Sequence, residues 1–122
     1  YADNRMILQV IYNLINNAIN YCGEDHFVGV EQRCFTTASG LRKVRISVTD
    51  HGAGIEKSKL PMIWERYYKV NENHRRATVG SGLGLSIVRK IMEKHESAYG
   101  VESTIGKGST FWFELVVVDP TP

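Results

Sequence analysis

No apolar run in this sequence approaches the roughly 18 residues a membrane-crossing helix requires, and no charged-then-apolar targeting segment stands near its N-terminus. Cysteine is scarce. Cys22 and Cys34 have neither a CxxC spacing nor a histidine cluster beside them, so they read as reduced thiols of a cytosolic domain rather than a disulfide or metal site. An excess of charge of one sign is missing too. A formal net charge of +2 gives no case for nucleic acid or an anionic membrane surface as partner. Internal repeats and low-complexity tracts are absent, and only residues 119–122 look like a polar tail. There is no initiating Met: the chain opens on Tyr1 and a helical pattern sets in almost at once, as in a fragment cut from a longer protein. What is there is ordinary for one globular domain. With 122 residues, 43% of them hydrophobic and 23% charged, the chain is long enough to bury a single core between two layers.

The modest charge is unevenly spread. Glu56 to Gly80 holds six basic residues (Lys57, Lys59, Arg66, Lys69, Arg75, Arg76) against Glu56, Glu65 and Glu72, which makes the segment +3 and leaves the rest of the chain at −1. Such a segment on a near-neutral body suits a polyanion such as a nucleotide triphosphate, and it equally fits a solvated basic loop. Upstream, Asp3 to Tyr21 reads as one helix, capped by Asp3 and uninterrupted by Gly or Pro. Ile7, Ile11, Leu14, Ile15, Ala18 and Ile19 recur at helical spacing as its apolar face. Gln9, Asn13, Asn17 and Asn20 form a polar stripe along it. Asparagine is a mediocre helix former, so a stripe of it suggests a function.

Strands are expected over Phe27–Phe35 and Val44–Thr49, joined through Ala38-Ser39-Gly40, and over Tyr99–Thr104 and Thr110–Val118, closing around Gly106-Lys107-Gly108. A second helix fits Leu83 to His95, while Glu56 to Gly80 has no sustained period. The order predicts an α/β two-layer sandwich, one mixed sheet covered by about three helices on a single face.

Four clusters then carry chemistry, each with an ordinary structural reading beside it. In the Asn13–Ala18 segment a neutral amide oxygen can ligate the Mg²⁺ of a nucleotide, which draws its other ligands from phosphates and water; a satisfied surface asparagine fits as well. At Asp50-His51-Gly52-Ala53-Gly54-Ile55 a carboxylate at a strand end can accept from an exocyclic amine, and two glycines let backbone approach a planar base. Plain Asp-Gly turns are also common. Gly80-Ser81-Gly82-Leu83-Gly84-Leu85 opens a helix and aims N–H groups at phosphate. It lacks the Lys-Ser/Thr of a P-loop and does not follow a strand. Gly106 to Phe113 fits a hairpin turn.

Taken in order, NLxxNA, DxGxGI, an aromatic loop, GxGLGLSIV and GxGSTFxF resemble the ATP-binding domain of sensor histidine kinases, within the Bergerat-fold ATPase superfamily. The likeness runs from about Asp3 to Leu115. It implies a catalytic domain over residues 1–118 with a lid at about 56–82. It makes Asn17 the Mg²⁺ ligand with Asn13 and Asn20 nearby, and sets Tyr21 along the adenine. Asp50 reads the adenine amine, and Gly52, Gly54 and Ile55 shape the base pocket. Trp64, Tyr67 and Tyr68 anchor the lid, and Lys69 reaches toward phosphate. Gly80, Ser81, Gly82, Leu83, Gly84 and Leu85 close over the phosphates, and Thr110 places a hydroxyl behind the adenine. Two departures stand out: Asn20 where relatives often carry a basic residue, and His95-Glu96-Ser97 where they often carry His-Gly-Gly.

The same resemblance separates kinase from hydrolase. Hydrolytic relatives carry a water-activating Glu where this chain has Asn13, and an amide has no useful basicity. Hydrolysis is therefore expected to be slow, preserving ATP for transfer to another nucleophile. His95 lacks the H-E-L-[RK]-x-P context of a phosphoacceptor and reads as a helix-end dipole partner; His26, His51 and His74 lack that context too. The implied partners are ATP or ADP, a separate helical phosphoacceptor domain and, indirectly, a response regulator. The fragment is expected to be monomeric and cytoplasmic, its parent a membrane-anchored homodimer. Two alternatives are a serine kinase of the anti-sigma-factor type and a non-catalytic nucleotide-binding module.

Overall fold

The computed structural model describes residues 4–65 and 84–117. In chain order they form α1 (Asn4–Tyr21), β1 (Val28–Thr36), β2 (Arg42–Asp50), a 3-10 helix (Lys57–Met62), α2 (Gly84–Lys94), β3 (Tyr99–Thr104) and β4 (Gly108–Val116). The expected cap at Asp3, the polar tail and most of the lid segment lie outside the described residues.

Helix α1 forms because 18 residues pass without Gly or Pro while apolar side chains repeat every third or fourth position. Val10, Leu14 and Ala18, at successive steps of four, are at most 1% exposed, with Ile7, Ile11 and Ile15 packed beside them. Ile19, expected on this face, is 56% exposed instead. At 100° per residue it is carried a quarter-turn past Ala18, and Val10 occupies the stripe in its stead.

The sheet runs β1-β2-β4-β3, and every neighbouring pair is antiparallel. The two-layer α/β sandwich is as expected, but the sheet is not mixed among the described residues. The crossover from β2 through α2 to β3 does leave those two strands pointing the same way. The hairpin turn then returns β4 into the gap between them, so no parallel pair forms. Alternation sets the faces. Val44, Ile46 and Val48 of β2 stand opposite Leu115, Phe113 and Phe111 of β4. All of these but Val44 join the core with α1, with Val88 and Met92 of α2, and with Ile63 and Trp64. Trp64 meets Tyr99 and Phe111 edge-on, with centroids 5.0 and 5.8 Å away, which fixes the chain beyond the 3-10 helix against β3 and β4. The other face of the sheet is polar: Arg45 donates to Glu114 at 2.6 and 2.9 Å and lies 3.9 Å above the Trp112 ring.

Helix α2 ends without a glycine. The Glu96 N–H donates to the Glu93 carbonyl and the Ser97 N–H to the Met92 carbonyl, each at 3.0 Å. That is the Schellman pattern of helix termination, whose turning residue takes a left-handed conformation. Glu96 sits there with φ of +51°, giving the His95-Glu96-Ser97 departure a structural consequence. His95 bonds back to its own helix from Nδ1, 2.8 Å from the Ile91 carbonyl.

Candidate nucleotide site

Asp50 is the last residue of β2 and shares the helix-facing side with Val48, so alternation carries its carboxylate to the edge of the core. It is 3% exposed. Its Oδ1 accepts the Gly52 N–H at 2.8 Å, and the Ser109 N–H also bonds it. Among the described residues no Lys or Arg pairs with it. Burial pushes the carboxyl above the ordinary aspartate range, and the two backbone donors and His51 draw it only part of the way back. A buried carboxylate with backbone donors and no cation is costly to keep, and it presents lone pairs to whatever fills the space before it.

The loop after Asp50 is pressed between two neighbours. A side chain at Gly52 would run into the Tyr21 carbonyl at the end of α1, and one at Gly54 into the Thr104 carbonyl of β3. Gly54 also has φ of +83°, which disfavours any other residue. The Gly106 N–H donates to the Ala53 carbonyl at 2.8 Å, and the Ile55 N–H to Ser103 Oγ at 2.8 Å. The structure thus brings Tyr21, Asp50, Gly52, Gly54 and Ile55 together. Tyr21 is partly exposed, and burial raises its phenol pKa.

Along α1, Asn13, Asn17 and Asn20 are half-buried while Gln9 is exposed. The Asn13 Nδ2 is buried with no hydrogen-bond partner among the described residues, an orphan that a ligand oxygen would satisfy. Gly84 opens α2 with no described atom within 4 Å of where a side chain would sit, and Leu85 packs against the core. Tyr67, Tyr68, Lys69, Gly80, Ser81, Gly82 and Leu83 lie outside the described residues.

One expected site residue is misplaced. Thr110 pairs with Thr49, and their hydroxyls meet at 2.9 Å on the face away from Asp50. The hydroxyl opposite Asp50 belongs to Ser109, 6% exposed and 2.7 Å from Ser103 Oγ. Strand alternation counted back from buried Phe111 identifies Ser109 from sequence. Nothing in sequence marks Ser103, whose partners come from two other segments. Nor does anything mark the clasp in which Asp25 accepts from the Phe27 N–H at 3.0 Å and meets His51 Nδ1 at 2.7 Å, with the His51 ring stacked on Phe27. This clasp seats the α1–β1 loop on the residue after Asp50, and proximity to His51 lowers the Asp25 pKa.

A helix bearing half-buried amides, packed on a sheet that ends in a buried carboxylate and a glycine loop, defines a nucleotide-binding α/β sandwich. The chain belongs to the family of histidine kinase-, DNA gyrase B- and HSP90-like ATPases, whose model matches residues 2–119, and it is an ATP-binding catalytic domain of the sensor histidine kinase type. An adaptive-response sensory kinase, SasA of Gloeothece citriformis, is 40% identical over 117 residues, 96% of this chain and 28% of that protein. The chain thus spans well under a third of that relative. Among solved structures, the catalytic domain of histidine kinase ThkA is 32% identical with a TM-score of 0.69, covering 94% of this chain and 68% of that one. Full-length ShkA in complex with AMPPNP is 29% identical with a TM-score of 0.68, over 95% of this chain and 23% of that one.

Proposed function

We propose that this domain binds Mg²⁺·ATP and presents its γ-phosphate to a histidine on a separate helical phosphoacceptor domain, from which a response regulator is served. The observation that carries the reading is Asp50, a buried carboxylate without a cation among the described residues, whose lone pairs suit an adenine amine. Asn17 supplies the neutral amide oxygen that suits Mg²⁺ on a nucleotide, and the orphaned Asn13 amide suits a phosphate oxygen beside it. Among the described residues no group of three or more His, Cys, Asp or Glu is arranged to hold a metal, in keeping with a cation whose other ligands come from the nucleotide.

Transfer over hydrolysis follows from the same helix. Asn4–Tyr21 contains no Asp or Glu, so no carboxylate on α1 stands ready to deprotonate a water. Phosphoryl transfer is largely positioning and charge neutralisation. This domain holds the donor, and the partner helix brings the nucleophile and takes the phosphoryl group as the bond to ADP breaks.

Calorimetric titration with a non-hydrolysable ATP analogue, with and without Mg²⁺, tests the reading. Binding strengthened by Mg²⁺ and weakened about tenfold or more in Asp50→Asn is the expected result. Absence of binding under every condition sinks it.

A further inference from the structure

Asp50, Ser109 and Ser103 form a polar row across β2, β4 and β3 on the helix-facing side of the sheet. Ser103 Oγ has three polar neighbours: the Ile55 N–H at 2.8 Å, the Gly108 carbonyl at 3.0 Å and Ser109 Oγ at 2.7 Å. A hydroxyl has one proton and two lone pairs. The Ile55 N–H can only donate, so it occupies one lone pair. The Gly108 carbonyl can only accept, so it takes the proton. What remains on Ser103 is a single lone pair, and Ser109 satisfies it by donating. This assignment pairs all four groups and leaves Ser109 Oγ with lone pairs only. Its cross-strand neighbour Asp50 is an acceptor as well. That end of the pocket then presents no side-chain donor.

We propose that Ser103 is a specificity-determining residue of the nucleotide site. By holding the Ser109 proton it keeps the Asp50–Ser109 end acceptor-only, which selects a base with an exocyclic amine over one with a carbonyl at the same position. The inference rests on the reading of Asp50 as the base-binding group. A carbonyl brought to this end faces acceptors and finds no proton, leaving polar groups buried unpaired. With Ser103 replaced by alanine, the Ser109 hydroxyl is released to rotate and donate to such a carbonyl. Ser103 needs no contact with the base. It acts through Ser109.

The variant should keep its fold, because the loop is held independently by the Gly106 N–H bond to the Ala53 carbonyl at 2.8 Å. The probes are ADP and IDP, which differ in carrying an amine or a carbonyl and avoid turnover. Their affinities are measured by calorimetry with wild type, Ser103→Ala, Ser103→Thr and Asp50→Asn. Wild type is expected to prefer ADP. Ser103→Ala should narrow that preference about threefold to tenfold, the worth of one net hydrogen bond, and Ser103→Thr should retain it because the hydroxyl is restored. A Ser103→Ala protein that weakens for both nucleotides by one factor, or keeps the wild-type ratio, overturns the proposal and leaves Ser103 a purely structural residue. Failure of the base site has a different signature: Asp50→Asn with unchanged ADP affinity removes the site itself, and the Ser103 role with it.

Discussion

On the proposed reading of Asp50, function and stability pull in opposite directions. Its carboxyl pKa is raised by burial, so the folded state favours the neutral form. Stability from that preference is present below the ordinary aspartate pKa and lost as pH rises through the raised value. At neutral pH the buried charge therefore costs stability, and Asp50→Asn should melt at the same temperature as wild type or higher. Nucleotide affinity should move the other way. Replacing a charged acceptor removes about tenfold to a hundredfold in binding. For wild type, affinity should decline as the pH falls through the raised Asp50 pKa. Calorimetry and thermal melts on the same samples check both; a variant that loses binding only because it unfolds would refute the separation. At this scale the sequence was legible where a residue type was unusual for its place, as with the amides on α1 and an Asp before two glycines. It was not legible where face mattered. Thr110 and Ser109 differ by one position, and in a strand one position exchanges the two sides of the sheet.

Helices and strands were largely readable because their periods are written in side chains. β2 alternates, and α1 repeats every third or fourth residue. The 3-10 helix at Lys57–Met62 escaped detection because so short an element sustains no period. The end of α2 shows what an exchanged turn residue does. Glu96 holds a left-handed conformation at φ of +51°, where a side chain costs about 1–2 kcal/mol relative to glycine, partly offset by the extra freedom glycine has when unfolded. Glu96→Gly should stabilise the domain by about 0.5–1 kcal/mol in urea denaturation. No gain would mean that the surrounding turn relieves the strain. Trp64 is the opposite case, an aromatic wedged edge-on between Tyr99 and Phe111. Trp64→Ala should destabilise by about 3–5 kcal/mol, and by loosening the chain beyond the 3-10 helix it should weaken nucleotide binding as well.

For the whole molecule, the decisive quantity is where the γ-phosphate goes. On the proposed reading the donor half of the reaction is assembled from α1 and the end of β2, and neither His95 nor His51 completes it. His95 is held to the Ile91 carbonyl of its own helix, and His51 is engaged with Asp25 and Phe27. Neither is placed on a free helix face as an in-line nucleophile requires. Incubated alone with γ-radiolabelled ATP, the domain should acquire no label and release phosphate slowly, since Asn13 cannot act as a base. Adding the helical domain of a sensor histidine kinase of this family should transfer label to it as an acid-labile phosphohistidine, and Asn17→Ala should abolish that transfer. Acid-stable label on the partner would favour a serine kinase instead. Label on His95, or rapid hydrolysis abolished by Asn17→Ala, would show that this chain carries its own acceptor or its own base. The division of labour between donor domain and partner helix would then have to be abandoned.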